Sequence, residues 1–252
     1  MRVVTLLATA LSASAFVEAL PADNPRSTNR QYVGYLFSTF SDPTPQVQWH
    51  LSDGNSASSF NFLNGGKPVV TSGVGTKGVR DIFLKTNTAR SEYFTIATGY
   101  AKDLDINAPG FSWDLRTDGL PCPKDTGLID QEFLYLGKPG HFACFLKNDT
   151  INKVYQKTTT TGRFGTWTRV PGYVRPESPL EGPCAFADLR TAGLYHLLLD
   201  DYTQYIPSQN SNILSPNWEK SDFPNFPKGL THGSVTPLTK KEYDAVVAKF
   251  RK

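Results

Sequence analysis

Four polar residues stand at the heads of apolar strands: Asp81 in "GVRDIFL", Asp130 in "LIDQEFLYL", Glu181 in "LEGPCAF" and His232 in "THGSVTPL". A carboxylate at an apolar strand mouth is costly unless it has partners or a task. Glu181 is the hardest to explain away, because Leu180 precedes it, Gly182-Pro183 follow it, and no helix is there to cap. Three carboxylates around one concave site are equipped to cleave a glycosidic bond. One carboxyl protonates the leaving oxygen, and a second activates water from roughly 6.5–9.5 Å away. A third raises the acid's pKa by like-charge repulsion. Taken singly, an Asp near a strand end reads as a turn or cap residue, and His232 reads equally well as a satisfied structural histidine. Shared spacing lifts the set above its members.

That spacing is regular. The heads fall at 81, 130, 181 and 232, which are 49, 51 and 51 residues apart. Trp113, Trp167 and Trp218 precede the last three, and Phe60 and Phe62 lead more loosely to the first through "GGKPVVTSGVGTKG". Counting back one further period reaches Tyr32 in "YVGYLF". A repeat of about 50 residues carrying several short strands is the mark of a β-propeller. Each blade's inner strand would start near a common axis, so the four heads would converge there. A β-sandwich accounts for the strands but not for the periodic acids. The expectation is an all-β chain, a propeller of four to five blades.

The elements agree with that reading. Short runs rich in aromatics, Thr and Val lie at Tyr32–Phe40, Ile82–Thr86, Tyr93–Thr98, Phe133–Leu136, Phe142–Leu146 and Leu194–Leu199. Leu136 to His141 and Arg190 to Gly193 read as hairpin connections. Helical periodicity enters only at the end. Thr239 and Glu242 form a capping box there, and Tyr243, Val246, Val247 and Phe250 follow at one-face spacing. One short C-terminal helix is expected.

The chain has 252 residues. It opens "MRVVTLLATALSASAFVEALPADNP", with Arg2 before a short apolar run and small residues after it. That pattern makes residues 1–19 a secretory signal peptide, and leaves 20–252 as one extracellular domain. No stretch is long enough to span a membrane. Cys122, Cys144 and Cys184 suggest one disulfide and a spare thiol in an oxidising compartment, with the pairing open. Asn148-Asp149-Thr150 is a glycosylation sequon. No Cys or His spacing points to a metal. A net charge of +3 with scattered signs is no nucleic-acid footprint, and the basic end, Lys249 to Lys252, reads as a solvated helix terminus.

The stretches "YVGYLFSTF", "LNGGKPVVTSGVGTKGVRDIFL", "LIDQEFLYL", "LEGPCAF" and "THGSVTPLTKKEYDAVV" resemble glycoside hydrolase family 43, and within it the secreted, arabinosidase-like members of fungal type. The resemblance runs from about Tyr32 to the C-terminus. It implies a five-bladed propeller and inverting hydrolysis of arabinofuranosyl or xylosyl linkages in plant cell-wall poly- or oligosaccharides, by a monomer. It implies Asp81 as general base, Asp130 as the carboxylate that tunes and orients, and Glu181 as general acid. His232 matches an axial histidine that in many relatives organises water or an ion; no cofactor is required, and an axial calcium or sodium ion is optional. Arg80, next to the base, would position it or a sugar hydroxyl and help keep it ionised.

Two departures stand out. Asp81 is followed by Ile82 where the family has proline, and little chain separates the first two acids, so about four blades are expected where relatives have five. A missing blade would move base from acid, and small displacements are costly in catalysis. The sequence therefore carries two functional expectations. One is an active secreted glycosidase; the other is a catalytically degenerate propeller serving as a carbohydrate-binding or secreted interaction protein.

Overall fold

A computed structural model describes residues 32–41, 43–73, 77–87, 89–100 and 127–251. The expected signal peptide 1–19, Cys122, Trp113 and residues 101–126 lie outside the described residues. Among those described the fold is β-rich, with fourteen strands and one α-helix. They are β1 (Tyr32–Ser41), β2 (Thr44–Ser52), β3 (Phe60–Phe62), β4 (Gly78–Thr86), β5 (Tyr93–Tyr100), β6 (Leu128–Tyr135), β7 (Phe142–Asn148), β8 (Lys153–Thr159), β9 (Thr168–Arg169), β10 (Glu181–Ala187), β11 (Tyr195–Asp200), β12 (Tyr205–Asn210), β13 (Glu219–Lys220) and β14 (Thr231–Thr239). Helix α1 is Lys240–Phe250.

The strands form four antiparallel sheets, none closed: β14-β1-β2-β3, β4-β5, β6-β7-β8-β9 and β10-β11-β12-β13. Each is a meander whose first member carries one of the four heads. The first sheet joins the two ends of the chain, since β14 pairs with β1. Tyr32 is therefore not a fifth head. One period upstream of Asp81 the chain enters the second strand of a sheet whose first strand is β14.

Neighbouring sheets bury apolar side chains between them. Tyr35, Phe37 and Phe60 pack on Phe186, Leu198, Tyr205 and Phe226. Leu134, Phe145 and Val154 pack on Leu180, Leu197, Leu199 and Trp218, while Phe40 and Val47 meet Ile82. The capping box of α1 forms as expected from Thr239 and Glu242. Tyr243, Val246, Val247 and Phe250 then cover Leu36, Leu51, Leu63, Leu84 and Leu238. Cys144 and Cys184 are both buried in different clusters and do not pair with each other. Asn148 ends β7, where its Oδ1 accepts a hydrogen bond from Thr150 N. No helix among the described residues is long and apolar enough to cross a membrane.

Candidate active site

The four heads are built by four matching β-bulges. Between Arg80 and Phe83, Ile129 and Glu132, Glu181 and Cys184, and Thr231 and Ser234, two residues of the first strand oppose a single residue of its partner. In each case the first bulged residue is left-handed: Asp81 (φ 53), Asp130 (φ 50), Gly182 (φ 55) and His232 (φ 22). Such φ values are uncommon outside glycine, and bulges of this kind re-aim side chains at strand ends. The repeat thus places Gly182, not Glu181, in phase with the two aspartates and the histidine. Glu181 shares the preceding position with Arg80, Ile129 and Thr231.

Crowding explains the glycine. A Cβ at 182 would lie 2.5 Å from His232 Cδ2, 2.8 Å from its Nε2 and 2.9 Å from Asp200 Oδ2. With the in-phase position closed to a side chain, the third carboxylate comes from one residue earlier. Glutamate has the extra methylene to reach inward.

His232 is the hub. Its Nδ1 lies 2.9 Å from Asp81 Oδ1, and its Nε2 lies 3.1 Å from Glu181 Oε1 and 3.2 Å from Asp200 Oδ2. Its backbone N–H also donates to Asp200 Oδ2 at 3.2 Å. Asp81 and Glu181 are thereby held on opposite nitrogens of one ring. Asp130 joins through Gly182 N–H, which donates to its Oδ2 at 3.2 Å. All four expected residues meet, from four sheets. Arg80 stays beside them, its guanidinium 5.2 Å above the Phe40 ring.

Three further residues complete the cluster. Asp200, the fully buried last residue of β11, is the cross-strand partner of Glu181. Lys147, buried in β7, donates to Glu181 Oε2 at 2.6 Å and to Tyr202 Oη at 2.8 Å, and lies 3.0 Å from Asp149 Oδ1. Tyr202 in turn donates to Asn152 Oδ1. Two of them had a sequence signal: an aspartate closing "LLLD", and a lysine closing "FACFLK".

The charges follow from this geometry. Burial alone would lower the pKa of His232, but hydrogen bonds to Asp81 and Glu181 and the charges of Asp200 and Asp130 raise it to about 10. An imidazolium donating from both nitrogens fits. Asp81 is also buried, yet its bond to His232 and the charges of His232 and Arg80 hold it below its ordinary value. Glu181 is pulled to about 2, since bonds to His232 and Lys147 outweigh its burial. Asp130 moves the other way: burial raises it against the pull of His232, and Glu181 adds repulsion. Burial likewise raises Asp200. In this resting arrangement Glu181 is ionised, and Asp130 and Asp200 are the carboxyls nearest to holding a proton.

Asp130, Glu181 and His232 offer ligand atoms within 4.8 Å of one another, which tests the axial ion. The fit is poor. Calcium takes roughly six to eight oxygens, whereas one Glu181 oxygen is held by the Lys147 ammonium and both His232 nitrogens face carboxylates. Lys147 and His232 supply the positive charge at this centre. Beside it a small pocket of about 60 Å³ is lined by Asp81, Asp130, Gly182 and His232. It has room for a few waters.

A family model described as a probable glycosyl hydrolase domain, related to glycoside hydrolase family 43, matches residues 30–120 and 117–244. The chain belongs to this family, and such a domain implies a carbohydrate substrate. Comparison with curated proteins returns no match.

Proposed function

We propose that the chain is a secreted glycoside hydrolase that cleaves arabinofuranosyl or xylosyl linkages of plant cell-wall polysaccharides with inversion, on a β-propeller whose inner strands are β4, β6, β10 and β14. One observation carries the reading: Asp81 and Glu181 flank a single imidazole ring, with Asp130 beside Glu181. Two carboxylates separated by the width of a small group are what an inverting displacement needs, because water must fit between base and anomeric carbon. Asp81 is ionised, as a base must be.

Glu181 serves as the acid, and its resting state defines the cost. A proton donor works best with a pKa near the working pH, whereas Glu181 is held near 2 by Lys147 and His232. Substrate entry must loosen those contacts and desolvate the carboxyl, and Asp130 then raises its pKa by repulsion. The acid is armed by the ligand, not by the empty site.

The test is release of pentose from aryl α-arabinofuranoside, aryl β-xyloside and arabinoxylan, with the product anomer followed by proton NMR. Wild type turns over at least one of them with inversion, and Glu181→Gln and Asp81→Asn lose about a thousand-fold or more. Equal inertness of wild type and both variants across the panel overturns the reading.

A further inference from the structure

A second and more open recess of about 380 Å³ lies between β2, β3 and the loop that leads into β14. Its wall includes Ser41, Gln48, His50, Phe60, Phe62 and Gly229. Two connections link its wall to His232. The loop residues Gly229 and Leu230 run through Thr231 into His232, and Phe40, which precedes Ser41, pairs with Thr231.

Gln48 and His50 alternate on β2, so both side chains leave the same face. They are 5 % and 3 % exposed, yet Gln48 Oε1 and His50 Nδ1 have no hydrogen-bond partner among the described residues. A buried polar atom left without a partner is destabilising unless something binds it, and the fold holds two in one recess. The far end of Gln48 is fixed, since its Nε2 donates to Ser41 Oγ at 3.4 Å. The Phe62 ring stands edge-on to His50 with centroids 4.3 Å apart, and is itself 40 % exposed. Burial lowers the His50 pKa to about 3, so its ring is neutral and offers one donor and one acceptor. Among the described residues lining the recess, Lys228 is the one that carries a charge.

An aromatic face beside neutral donors and acceptors matches a ligand with an apolar C–H face and uncharged hydroxyls. The volume falls in the range of about 300–1,000 Å³ typical of small-molecule pockets. We propose that this recess binds one neutral sugar ring of an oligosaccharide whose neighbouring linkage is presented at the His232 centre. The proposal rests on the glycosidase reading and adds a second point of substrate contact to it.

Three variants test it: Phe62→Ala, which trims a half-exposed ring, Gln48→Leu, which removes the buried acceptor at similar volume, and Lys228→Ala. Each is assayed on an aryl pentoside, which carries one sugar, and on xylopentaose and an arabino-pentasaccharide. The first two variants lower kcat/KM on a pentasaccharide about ten-fold or more through KM, and leave the aryl pentoside unchanged. Lys228→Ala leaves both unchanged. Unaltered pentasaccharide kinetics in both Phe62→Ala and Gln48→Leu overturn the proposal. If wild type hydrolyses nothing, the glycosidase reading fails separately, and calorimetric titration with the same two pentasaccharides reads the recess. Binding that Phe62→Ala weakens and Glu181→Gln preserves then upholds it; absence of binding to either sugar overturns it.

Discussion

Lys147 Nζ lies 2.6 Å from Glu181 Oε2, with the lysine side chain 1 % exposed and the glutamate 14 %. This is a buried ion pair between two sheets, and it sets the state of the candidate acid. Glu181 uses its other oxygen on His232, so both oxygens are engaged by cations. The pair therefore ties local stability to catalytic readiness: what holds the sheets together is what keeps the acid from carrying its proton.

Removing the lysine separates these effects. Lys147→Met leaves Glu181 buried with one oxygen uncompensated, and breaking a buried pair this way costs about 3–5 kcal/mol. Glu181→Gln costs less, because Lys147 keeps Asp149 and Tyr202. Chemical denaturation of both single variants and the double variant measures the coupling, which should exceed about 1 kcal/mol. Additive effects would show that the pair is energetically idle.

Gly182 supplies a second prediction. Gly182→Ala places a methyl against the His232 ring at a left-handed backbone position. The conformation alone costs roughly 1–2 kcal/mol, and the contact pushes His232 from Asp200. Glycosidase activity should fall more steeply than stability, because the displaced ring carries both Asp81 and Glu181. An alanine variant with wild-type activity and melting temperature would show that the ring moves aside at no cost.

Much of this site was legible in the residues. Asp81, Asp130 and His232 were found by a period near fifty, because each first strand bulges at the same point. Glu181 was found too, but its place in the period was misjudged by one residue: spacing counts side chains, and the in-phase residue has none. Asp200 and Lys147 escaped because each reads locally as the polar end of a strand; only tertiary pairing turns them toward Glu181. The capping box of α1 was readable because its two residues satisfy each other within one turn. The partner of that box was not, since Arg90 lies far from it in sequence.

That partner yields a third prediction. Arg90 Nε donates to Glu242 Oε1 at 2.7 Å, its Nη2 donates to Glu242 Oε2 at 2.9 Å and to Pro237 O at 2.7 Å, and Tyr93 Oη also donates to Glu242. Burial opposes ionisation of Glu242, but these bonds hold its pKa at about 2, below the ordinary 4.5. A depressed carboxylate stabilises the fold above its unfolded value and loses that contribution as pH falls from about 4.5 to 2. Glu242→Ala should cost about 2–3 kcal/mol at neutral pH by orphaning Arg90 and the cap. Its deficit relative to wild type should shrink in this acid window, as read by urea denaturation at stepped pH. A deficit that stays constant down to pH 2 would show that the carboxylate is not the stabilising group.

The basic limb of stability belongs to His232. Its folded pKa of about 10 lies above the ordinary 6.5, so its contribution is complete below pH 6.5 and is lost as pH rises toward 10. The groups facing it are Asp81, Asp130, Glu181 and Asp200. Asp81 and Glu181, with lowered values, act only in acid; Asp130 and Asp200, with raised values, act in the opposite sense and partly offset that acid limb. Glu132, raised to about 7 by burial, loses its own contribution between 4.5 and 7. Between pH 7 and about 8.5 the histidine therefore titrates alone among these groups; above that window the buried Cys184 thiol, pushed up from its ordinary 9.0, adds a loss of the same sign. One proton retained by the folded state and absent from the unfolded one gives a loss of about 1.4 kcal/mol per pH unit. Denaturant titrations between pH 7 and 8.5 should show that slope in wild type and a flatter one in His232→Gln, which retains a donor but does not titrate. Parallel slopes in the two proteins would mean that His232 is neutral in the folded state, and the doubly donating imidazolium between Asp81 and Glu181 would have to be abandoned.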